Sequence, residues 1–365
     1  MIESMTVTAP GKLIVTGEYA VLDGAPALVV AMDRRVVARF VSGRARVVGS
    51  SPFLLAVARE IAARYGDAHP AAAAALSIAV DSSSFYDGDK KLGLGSSAAV
   101  TVAATALALA ATSPEASRSG EPRTSTGPAH VIDRREILAI ACAAHAHAQG
   151  AMGARGSGAD IASAVYGGAI VFTMAGAHVG GAHSAHDGGV DAVAGANVAL
   201  PSVVKRTWPH SVRIVPFFTG APASTADLVA RVTAARIANP VAVEAALAAI
   251  ADASKAACKA IAAPADLAQT ALIAAVSLAG SAIDRLAIAT GVDLVPGCVR
   301  AARAAMTRFG GTAKTTGAGG GDIGIAVIPD TADVTDVRGA LIQAGCQVLQ
   351  LSVDETGVDL RANAQ

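Results

Sequence analysis

A short run of glycine and serine residues is the part of the sequence best suited to chemistry. Residues 93–99 read Gly-Leu-Gly-Ser-Ser-Ala-Ala, and the alanine- and leucine-rich stretch that follows is typical of a buried helix. Backbone N–H groups at a helix start lack intrahelical partners, and with the positive end of the helix dipole they favour phosphate. Glycine leaves the approach open, and the Ser97 hydroxyl can reach a phosphate oxygen or Mg2+. We call these residues the glycine–serine loop.

Two familiar phosphate-binding patterns fit this loop poorly. A P-loop requires a lysine directly before its serine or threonine, and none lies between Gly93 and Ala99. The dinucleotide-binding pattern is formally matched by Gly93, Gly95 and Ala98, but the residues before it are polar and do not predict a strand. Its acidic partner would be Glu115, in a low-complexity stretch. A phosphate loop of another class and a glycine turn used only for packing both stay open on these residues alone.

Two further segments resolve this choice. Residues 9–24, the N-terminal segment, contain Ala-Pro-Gly-Lys-Leu and then Gly-Glu-Tyr-Ala-Val-Leu-Asp-Gly. Residues 316–322, the C-terminal glycine segment, read Thr-Gly-Ala-Gly-Gly-Gly-Asp. Together with the glycine–serine loop they resemble, in order and position, the three signatures of the GHMP kinases, the superfamily of galactokinase, homoserine kinase, mevalonate kinase and phosphomevalonate kinase. A chance match of all three is negligible.

Within that superfamily the chain most resembles the phosphomevalonate kinases. The C-terminal glycine segment ends in Gly-Gly-Gly-Asp, and residues 149–168 are similar to that family's QG, GSGxDVA and YGG elements. Residues 218–225 resemble its WTGxxAST segment, with Phe218 in place of tryptophan. Gln149 stands where mevalonate kinases have a glutamate that helps to hold Mg2+. Arg155 lies in an insertion-like turn, where a solvated arginine is favoured over an addition to the substrate pocket.

The resemblance implies an α+β fold of two domains, with ATP and Mg2+ as cofactors. Residues 1–190 would form an N-terminal ribosomal-protein-S5-like domain that carries the glycine–serine loop, and residues 191–365 a ferredoxin-like, helix-rich C-terminal domain. Lys12 and Asp160 become the catalytic pair, and Ser97 the metal ligand. The residues implied in binding ATP are Lys91, Gly93, Leu94, Gly95, Ser96, Ser97 and Ala98. Those implied in binding the acceptor are Lys12, Glu18, Tyr19, Ser157, Gly158, Asp160, Ser224, Thr225, Thr316, Gly317 and Ala318.

The acceptor decides what Asp160 does. Phosphoryl transfer needs chiefly alignment and charge stabilisation. A phosphate monoester such as 5-phosphomevalonate has a second pKa near ~6, so no base is needed at neutral pH, and Lys12 with Mg2+ must offset charge repulsion while Asp160 orients Lys12. For an alcohol such as mevalonate, Asp160 is a natural general base. We favour phosphomevalonate as acceptor, with an alcohol kinase of the same superfamily as the alternative. A catalytically silent metabolite-binding regulator is disfavoured because Lys12, Ser97 and Asp160 are retained.

The hydrophobic patterns place these residues on strands, helices and turns. Strands are predicted as several short runs within residues 1–40 and then at 76–83, 166–174, 323–328 and 346–353. Helices are predicted over residues 53–65, from the glycine–serine loop onward, from Asp133 to about Gln149, from 224 to 309 with breaks at Pro240, Pro264 and Pro296, and near 333–344. The order predicts two α+β domains divided near residue 190.

Composition limits the class of partner. The chain has 365 residues, of which 53% are hydrophobic and 16% charged, so it can fill the cores of two folded domains. Lys plus Arg equals Asp plus Glu at 29 each, so no net field favours nucleic acid or an anionic membrane. Alanine-rich stretches such as residues 270–283 are broken by serine and glycine, and we interpret them as packed helices shorter than the ~20 residues of a membrane span.

The cysteines and histidines predict neither a disulfide framework nor a metal site. The four cysteines, Cys142, Cys258, Cys298 and Cys346, are scattered and no secretory leader is evident, which predicts reduced thiols in a cytoplasmic protein. His178, His183 and His186 have no cysteine or carboxylate cluster to complete a site, so they predict a solvated loop, and the polar residues 112–130 predict a mobile loop. We expect a cytoplasmic monomer or homodimer that acts on a small molecule, without nucleic-acid or membrane partners.

Overall fold

The computed structural model describes residues 5–41, 51–112, 133–152, 156–175 and 199–362. The strands in these ranges are β1 (Met5–Thr16), β2 (Ala27–Phe40), β3 (Ile78–Asp81), β4 (Tyr86–Asp87), β5 (Lys90–Lys91), β6 (Ala169–Thr173), β7 (Ser202–Arg206), β8 (Val212–Phe218), β9 (Thr312–Thr315), β10 (Ile323–Pro329), β11 (Gln347–Val348) and β12 (Asp359–Ala362). The helices are α1 (Pro52–Tyr65), α2 (Pro70–Ala75), α3 (Ser96–Ala110), α4 (Arg134–Ala151), α5 (Ala159–Tyr166), α6 (Thr225–Ala238), α7 (Pro240–Ala260), α8 (Ala265–Thr290), α9 (Gly297–Met306) and α10 (Val334–Gln343).

The larger sheet is antiparallel and positions the N-terminal segment. Its strand order is β12-β1-β2-β6-β7, and β3 pairs with the end of β2. The prediction of several short strands within residues 1–40 was wrong, because two long strands pair along most of their length. Pro10 and Gly11 do not end β1; the register with β2 shifts between them, and the strand continues past this irregularity.

The helices that cover this sheet follow the sequence pattern. α3 packs on β1 and β2 and also contacts α4 and α5. α4 begins where it was predicted, because the Asp133 carboxylate accepts hydrogen bonds from the N–H groups of Arg135 at 2.9 Å and Glu136 at 3.1 Å. The predictions of a helix over residues 53–65 and of strands near 76–83 and 166–174 are confirmed as α1, β3 and β6.

The second sheet is also antiparallel, in the order β11-β8-β10-β9, and helices from the second half of the chain pack beside it. Three prolines mark helix starts as predicted: Pro240 is the first residue of α7, and Pro264 and Pro296 immediately precede α8 and α9. The predicted strand at 346–353 shortens to the two residues of β11 and a bridge at Val353. The α+β class is confirmed.

Each of the two hydrophobic clusters, one around each sheet, contains residues from both halves of the chain. Tyr19 and Ala20, which follow β1, lie in the cluster formed by the helix-rich half. Leu272 and Ile325, from α8 and β10, lie in the cluster formed around the larger sheet. The larger sheet also takes β7 and β12 from beyond residue 190. The N-terminal segment is therefore held from both sides, and the domain division at residue 190 stays a prediction.

Helix α8 is longer than its broken apolar pattern indicated. An 18-residue window within Asp266–Thr290 reaches a mean hydropathy of 1.7, so by length and composition this helix could cross a membrane, although 44% of that window is buried in the protein. The helix packs along α7 and contacts β9 and β10. The estimate that such stretches are too short for a span was wrong here, and the prediction that they pack as helices is confirmed. A single helix of this kind is weak evidence for a span, because buried core helices pass the same test.

Some predictions fall outside the described residues. These are the polar loop at 112–130 from residue 113 onward, Arg155 in the insertion-like turn, and His178, His183 and His186. The four cysteines lie within the described ranges, and each is a free thiol.

An ion pair at Arg35 fastens the C-terminal tail to the larger sheet. The Arg35 guanidinium pairs with the Asp354 carboxylate, donates to the Thr8 hydroxyl at 3.0 Å and bonds the Gly357 carbonyl. Because Asp354 is buried, we predict that Arg35→Met, which removes the cation paired with its carboxylate, lowers the free energy of unfolding by about 2–3 kcal/mol. Urea denaturation monitored by circular dichroism measures the change.

The matched control is Arg361→Met on β12. Arg361 pairs with Asp359 at 2.7 Å, but its side chain is 72% exposed, so its loss should cost less than about 1 kcal/mol. Equal destabilisation by the two substitutions would show that burial of the Asp354 charge is not what makes Arg35 important.

Candidate functional site

The structure brings Lys12, Gly95 and Asp160 together. Lys12 lies on β1, and its backbone N–H donates to the Leu94 carbonyl at 2.9 Å, which joins the N-terminal segment to the glycine–serine loop. A Cβ placed on Gly95 would lie 3.1 Å from Lys12 Cε and 3.7 Å from Asp160 Cβ. Residues far apart in sequence thus meet around the Lys12 side chain, and glycine at position 95 leaves it room.

The glycine–serine loop has the form of a phosphate cradle. Gly93 and Gly95 have φ angles of +69° and +78°, in the left-handed region that favours glycine. Gly95 is the N-cap of α3 and makes no side-chain cap, so the amino end of this 15-residue helix is open to a ligand. Leu94 is buried and anchors the loop, while Ser97 is half-buried. The arrangement can bind an anion through backbone N–H groups and the helix dipole.

The charges of three carboxylates act on the Lys12 ammonium. Burial lowers the pKa of Lys12, and the charges of Asp160, Asp322 and Glu18, in that order, oppose this shift. Lys91, exposed on β5, lies close enough to lower the Lys12 pKa further. The site therefore holds a partly desolvated cation whose charged form depends on its acidic neighbours.

Glu18 is engaged by a lysine that the sequence analysis did not name. Lys314 on β9 is buried, and its ammonium pairs with Glu18 Oε1 and donates to the Thr315 carbonyl at 2.6 Å. Burial raises the pKa of Glu18 and lowers that of Lys314, and the pairing opposes both shifts. Glu18 Oε2 is also buried and has no hydrogen-bond partner among the described residues. One oxygen of the predicted acceptor-binding carboxylate is thus committed to Lys314, and the other is available.

Tyr19 adopts a strained conformation that links the N-terminal segment to the C-terminal glycine segment. Its φ and ψ of 60° and −55° form a γ-turn, closed by a 2.6 Å hydrogen bond from the Ala20 N–H to the Glu18 carbonyl. Its hydroxyl donates to the Ala318 carbonyl at 2.6 Å. Burial raises the Tyr19 pKa, so this hydroxyl keeps its proton. Strain held in this way is found at functional sites, where surrounding contacts enforce it.

Asp322, the last residue of the C-terminal glycine segment, packs directly on the glycine–serine loop. A Cβ on Gly93 would lie 2.8 Å from Asp322 Oδ2, and Asp322 itself has a φ of +51°. Its other carboxylate oxygen accepts from the Ala223 N–H at 3.2 Å. Burial raises the Asp322 pKa, and Lys12 and Lys91 oppose the shift. Asp322 belongs to a recognised sequence motif, but its side chain was not predicted to lie in the site.

The remaining predicted acceptor residues lie at helix starts and in the C-terminal glycine segment. The Ser224 hydroxyl caps α6 by accepting from the Asp227 N–H at 3.3 Å, and Ser224 and Thr225 are both exposed. The Ser157 hydroxyl accepts from the Ala159 N–H at 3.2 Å beside Gly158, the left-handed N-cap of α5.

The middle of the C-terminal glycine segment offers space at one position. Thr316 is buried and Ala318 is half-buried, whereas a Cβ on Gly317 would meet nothing within 4 Å. A ligand can approach the backbone at Gly317 without displacing a neighbour.

His145 is a further residue that the sequence analysis missed. It is buried on α4, and its Nε2 lies 3.1 Å from the Ser97 hydroxyl. A cavity of about 730 Å3 adjoins it, with walls that include Cys142, Gln149 and Ser157. Burial raises the Cys142 pKa to about 12, which disfavours the nucleophilic thiolate form.

Comparison with known proteins gives a relative by sequence that aligns over nearly the whole chain. The chain is 31% identical to a phosphomevalonate kinase of Streptomyces sp. (strain CL190) in an alignment of 398 positions, gaps included, which covers 96% of this chain and 97% of that protein. No protein-family model matches the sequence.

Solved structures share the fold at lower identity. A Listeria innocua protein aligns with a TM-score of 0.74 at 21% identity, covering 98% of this chain and 99% of that one. A Streptococcus pneumoniae phosphomevalonate kinase, in complex with phosphomevalonate and AMPPNP, aligns with a TM-score of 0.68 at 18% identity, covering 95% and 99%. At these identities the likeness concerns the fold.

The contact between Gly95 and Lys12 yields a prediction. We expect Gly95→Ala to weaken binding of tripolyphosphate by at least about tenfold, or ~1.4 kcal/mol, because the new methyl group displaces Lys12 in addition to straining the loop. Isothermal calorimetry at fixed ionic strength measures the affinity.

Gly291→Ala is the control for backbone strain alone. Gly291 ends α8 with a φ of +65° and has no atom within 4 Å of a Cβ placed on it. This variant should lose stability yet bind tripolyphosphate as the wild type does. A comparable loss of affinity in both variants would refute steric displacement of Lys12.

Proposed function

Because this chain belongs to the phosphomevalonate kinase family, we propose that it transfers the γ-phosphoryl group of ATP to (R)-5-phosphomevalonate, giving ADP and 5-diphosphomevalonate. The observation that carries the proposal is the meeting of Lys12, Asp160 and the glycine–serine loop. In the reaction, an oxygen of the acceptor phosphate forms a bond to the γ-phosphorus. The bond from that phosphorus to the β–γ bridging oxygen breaks, and its electron pair leaves with ADP.

We assign ATP to the glycine–serine loop. The triphosphate would lie across the backbone N–H groups of Gly95, Ser96, Ser97 and Ala98, at the positive end of α3. Lys91 would add a cation from the neighbouring β5 strand. Support comes from the AMPPNP bound in the Streptococcus pneumoniae relative, which shares this fold.

The chain has a residue suited to Mg2+. In kinase sites Mg2+ keeps several waters and is bound through substrate phosphates and one or two protein oxygens. The Ser97 hydroxyl, half-buried at the start of α3 and 3.1 Å from His145 Nε2, supplies such an oxygen beside the proposed triphosphate. The described residues contain no group of three or more His, Cys, Asp or Glu placed for a metal, and a phosphate-borne ion needs none. Mg2+ bound there would offset the charge of the β- and γ-phosphates.

In this proposal Lys12 provides most of the protein's positive charge that offsets repulsion between the two phosphates. The acceptor phosphate has a second pKa near ~6 and is largely dianionic at neutral pH, so no base must generate the nucleophile. The obstacle is repulsion between two anions. Lys12 is partly desolvated, which strengthens its attraction for both phosphates, and Asp160 beside it favours its charged form and orients it.

The acceptor would lie between the N-terminal segment and the C-terminal glycine segment. Glu18 Oε2 is free to accept a hydrogen bond from an acceptor hydroxyl, since Oε1 is held by Lys314. Tyr19 would fix one wall through its bond to Ala318. The other proposed contacts are Ser157, Gly158, Ser224, Thr225, Thr316 and Gly317.

A kinase that acts on an alcohol such as mevalonate is the second candidate. The Asp160 carboxylate is half-buried, and among the described residues the hydrogen bond it accepts comes from its own helix, the Ile161 N–H at 3.0 Å. It therefore has capacity to take a proton from a hydroxyl acceptor.

We further propose a cytoplasmic enzyme, monomeric or homodimeric, with small-molecule substrates and no nucleic-acid or membrane partner. The balanced charge of 29 basic and 29 acidic residues and the free cysteines support this assignment.

Comparing Lys12→Met with Asp160→Asn distinguishes the two acceptors. On phosphomevalonate we expect Lys12→Met to reduce kcat far more than Asp160→Asn, because charge neutralisation is the larger demand. If a hydroxyl is the true acceptor, loss of the base should itself cost a factor of about 100 to 10,000. Radiolabelled transfer from ATP to phosphomevalonate and to mevalonate gives kcat, and thermal melts verify folding.

The double variant Lys12→Met/Asp160→Asn tests whether Asp160 acts through Lys12. In that case the second substitution adds almost nothing to the loss of kcat. A wild type that phosphorylates mevalonate and ignores phosphomevalonate would overturn the proposed acceptor. So would equal damage by the two single substitutions on phosphomevalonate.

A further inference from the structure

His145 is a buried polar residue on the apolar face of α4. Its neighbours on that face, among them Ile137, Ala141, Ala144 and Ala148, are buried and aliphatic. Two contacts account for the ring: it stacks on Phe53 of α1 with centroids 5.3 Å apart and planes 23° apart, and its Nε2 lies 3.1 Å from Ser97 Oγ. α4 thus places one hydrogen-bonding group behind the glycine–serine loop.

The Ser97 hydroxyl needs such a partner if its oxygen is to face a cation. A serine hydroxyl has one proton and two lone pairs and rotates to suit its surroundings. At a helix start it competes for local backbone groups, and a proton directed at Mg2+ would oppose binding. The neutral imidazole accepts through one nitrogen, and Nε2 is the nitrogen that faces Ser97.

We propose that His145 is a positioning residue for the metal-nucleotide site. It accepts a hydrogen bond from the Ser97 hydroxyl at Nε2 and thereby turns a Ser97 lone pair toward Mg2+. The inference rests on the proposed function insofar as Mg2+ and ATP bind at the glycine–serine loop, but it does not depend on which acceptor is phosphorylated. Groups that orient a metal ligand from behind commonly change metal affinity by a factor of about 10 to 100 when they are removed.

His145 could instead serve only to fill space against Phe53. His145→Phe separates the two roles, because an aromatic ring still stacks on Phe53 while the hydrogen bond to Ser97 is lost. His145→Gln does the opposite, since the glutamine amide can place a hydrogen-bonding atom near the position of Nε2 but cannot stack as a ring.

The experiment measures AMPPNP affinity by calorimetry, with Mg2+ and with EDTA, for the wild type, His145→Phe, His145→Gln, Ser97→Ala and the double variant Ser97→Ala/His145→Phe. We expect His145→Phe to weaken AMPPNP binding about tenfold or more in Mg2+ and less than about twofold in EDTA. His145→Gln should recover most of the loss. Ser97→Ala should resemble His145→Phe, and the double variant should be no weaker than Ser97→Ala.

Three results would overturn the inference. The first is that His145→Phe binds AMPPNP in Mg2+ as tightly as the wild type does. The second is that His145→Phe loses equal AMPPNP affinity in Mg2+ and in EDTA. The third is that His145→Phe causes its full loss of AMPPNP affinity again when added to Ser97→Ala. Thermal melts identify a misfolded variant, and His145→Gln then decides whether the hydrogen bond matters. Because no acceptor is present, an incorrect choice of acceptor does not affect the outcome, whereas a wild type that binds no AMPPNP overturns the proposed function as well.

Discussion

The buried ion pair between Glu18 and Lys314 is the constraint around which the site is built. Glu18 follows β1 of the larger sheet, Lys314 lies on β9 of the second sheet, and both side chains are almost fully buried. Removing two charges from water costs several kcal/mol for each ion, and their attraction repays this only when the geometry is fixed. Joining these two residues therefore commits the chain to one relative placement of the two sheets.

Other contacts at the same junction depend on that placement. Tyr19, next to Glu18, keeps its strained γ-turn because its hydroxyl bonds Ala318 beyond β9. Asp322, at the end of the C-terminal glycine segment, packs on Gly93 and adds a negative charge near Lys12. The charged form of Lys12, the cation proposed to align two phosphates, is thus favoured by carboxylates from three separate parts of the chain, Glu18, Asp160 and Asp322.

Local sequence patterns predicted the parts of the site that form locally. The open helix start at Gly95 and the cap at Asp133 follow from residue types a few positions apart. By contrast, the roles of Lys314 and His145 arise from partners 296 and 48 residues away, and no periodicity encodes such pairings. The strands were predicted too short because Pro10 and Gly11 usually end a strand, whereas the long pairing with β2 carries β1 through them. The entry of β12 into the larger sheet is likewise a non-local event.

A double-mutant cycle on Glu18→Gln and Lys314→Met, measured by urea denaturation, tests this account most directly. Lys314→Met leaves a buried carboxylate unpaired and should lower the free energy of unfolding by about 3–5 kcal/mol. In the double variant the unpaired charge is gone, so most of that stability should return and the coupling energy should exceed about 2 kcal/mol. Additivity of the two changes to within about 0.5 kcal/mol would contradict the account, because it would show that the pair does not hold the sheets together.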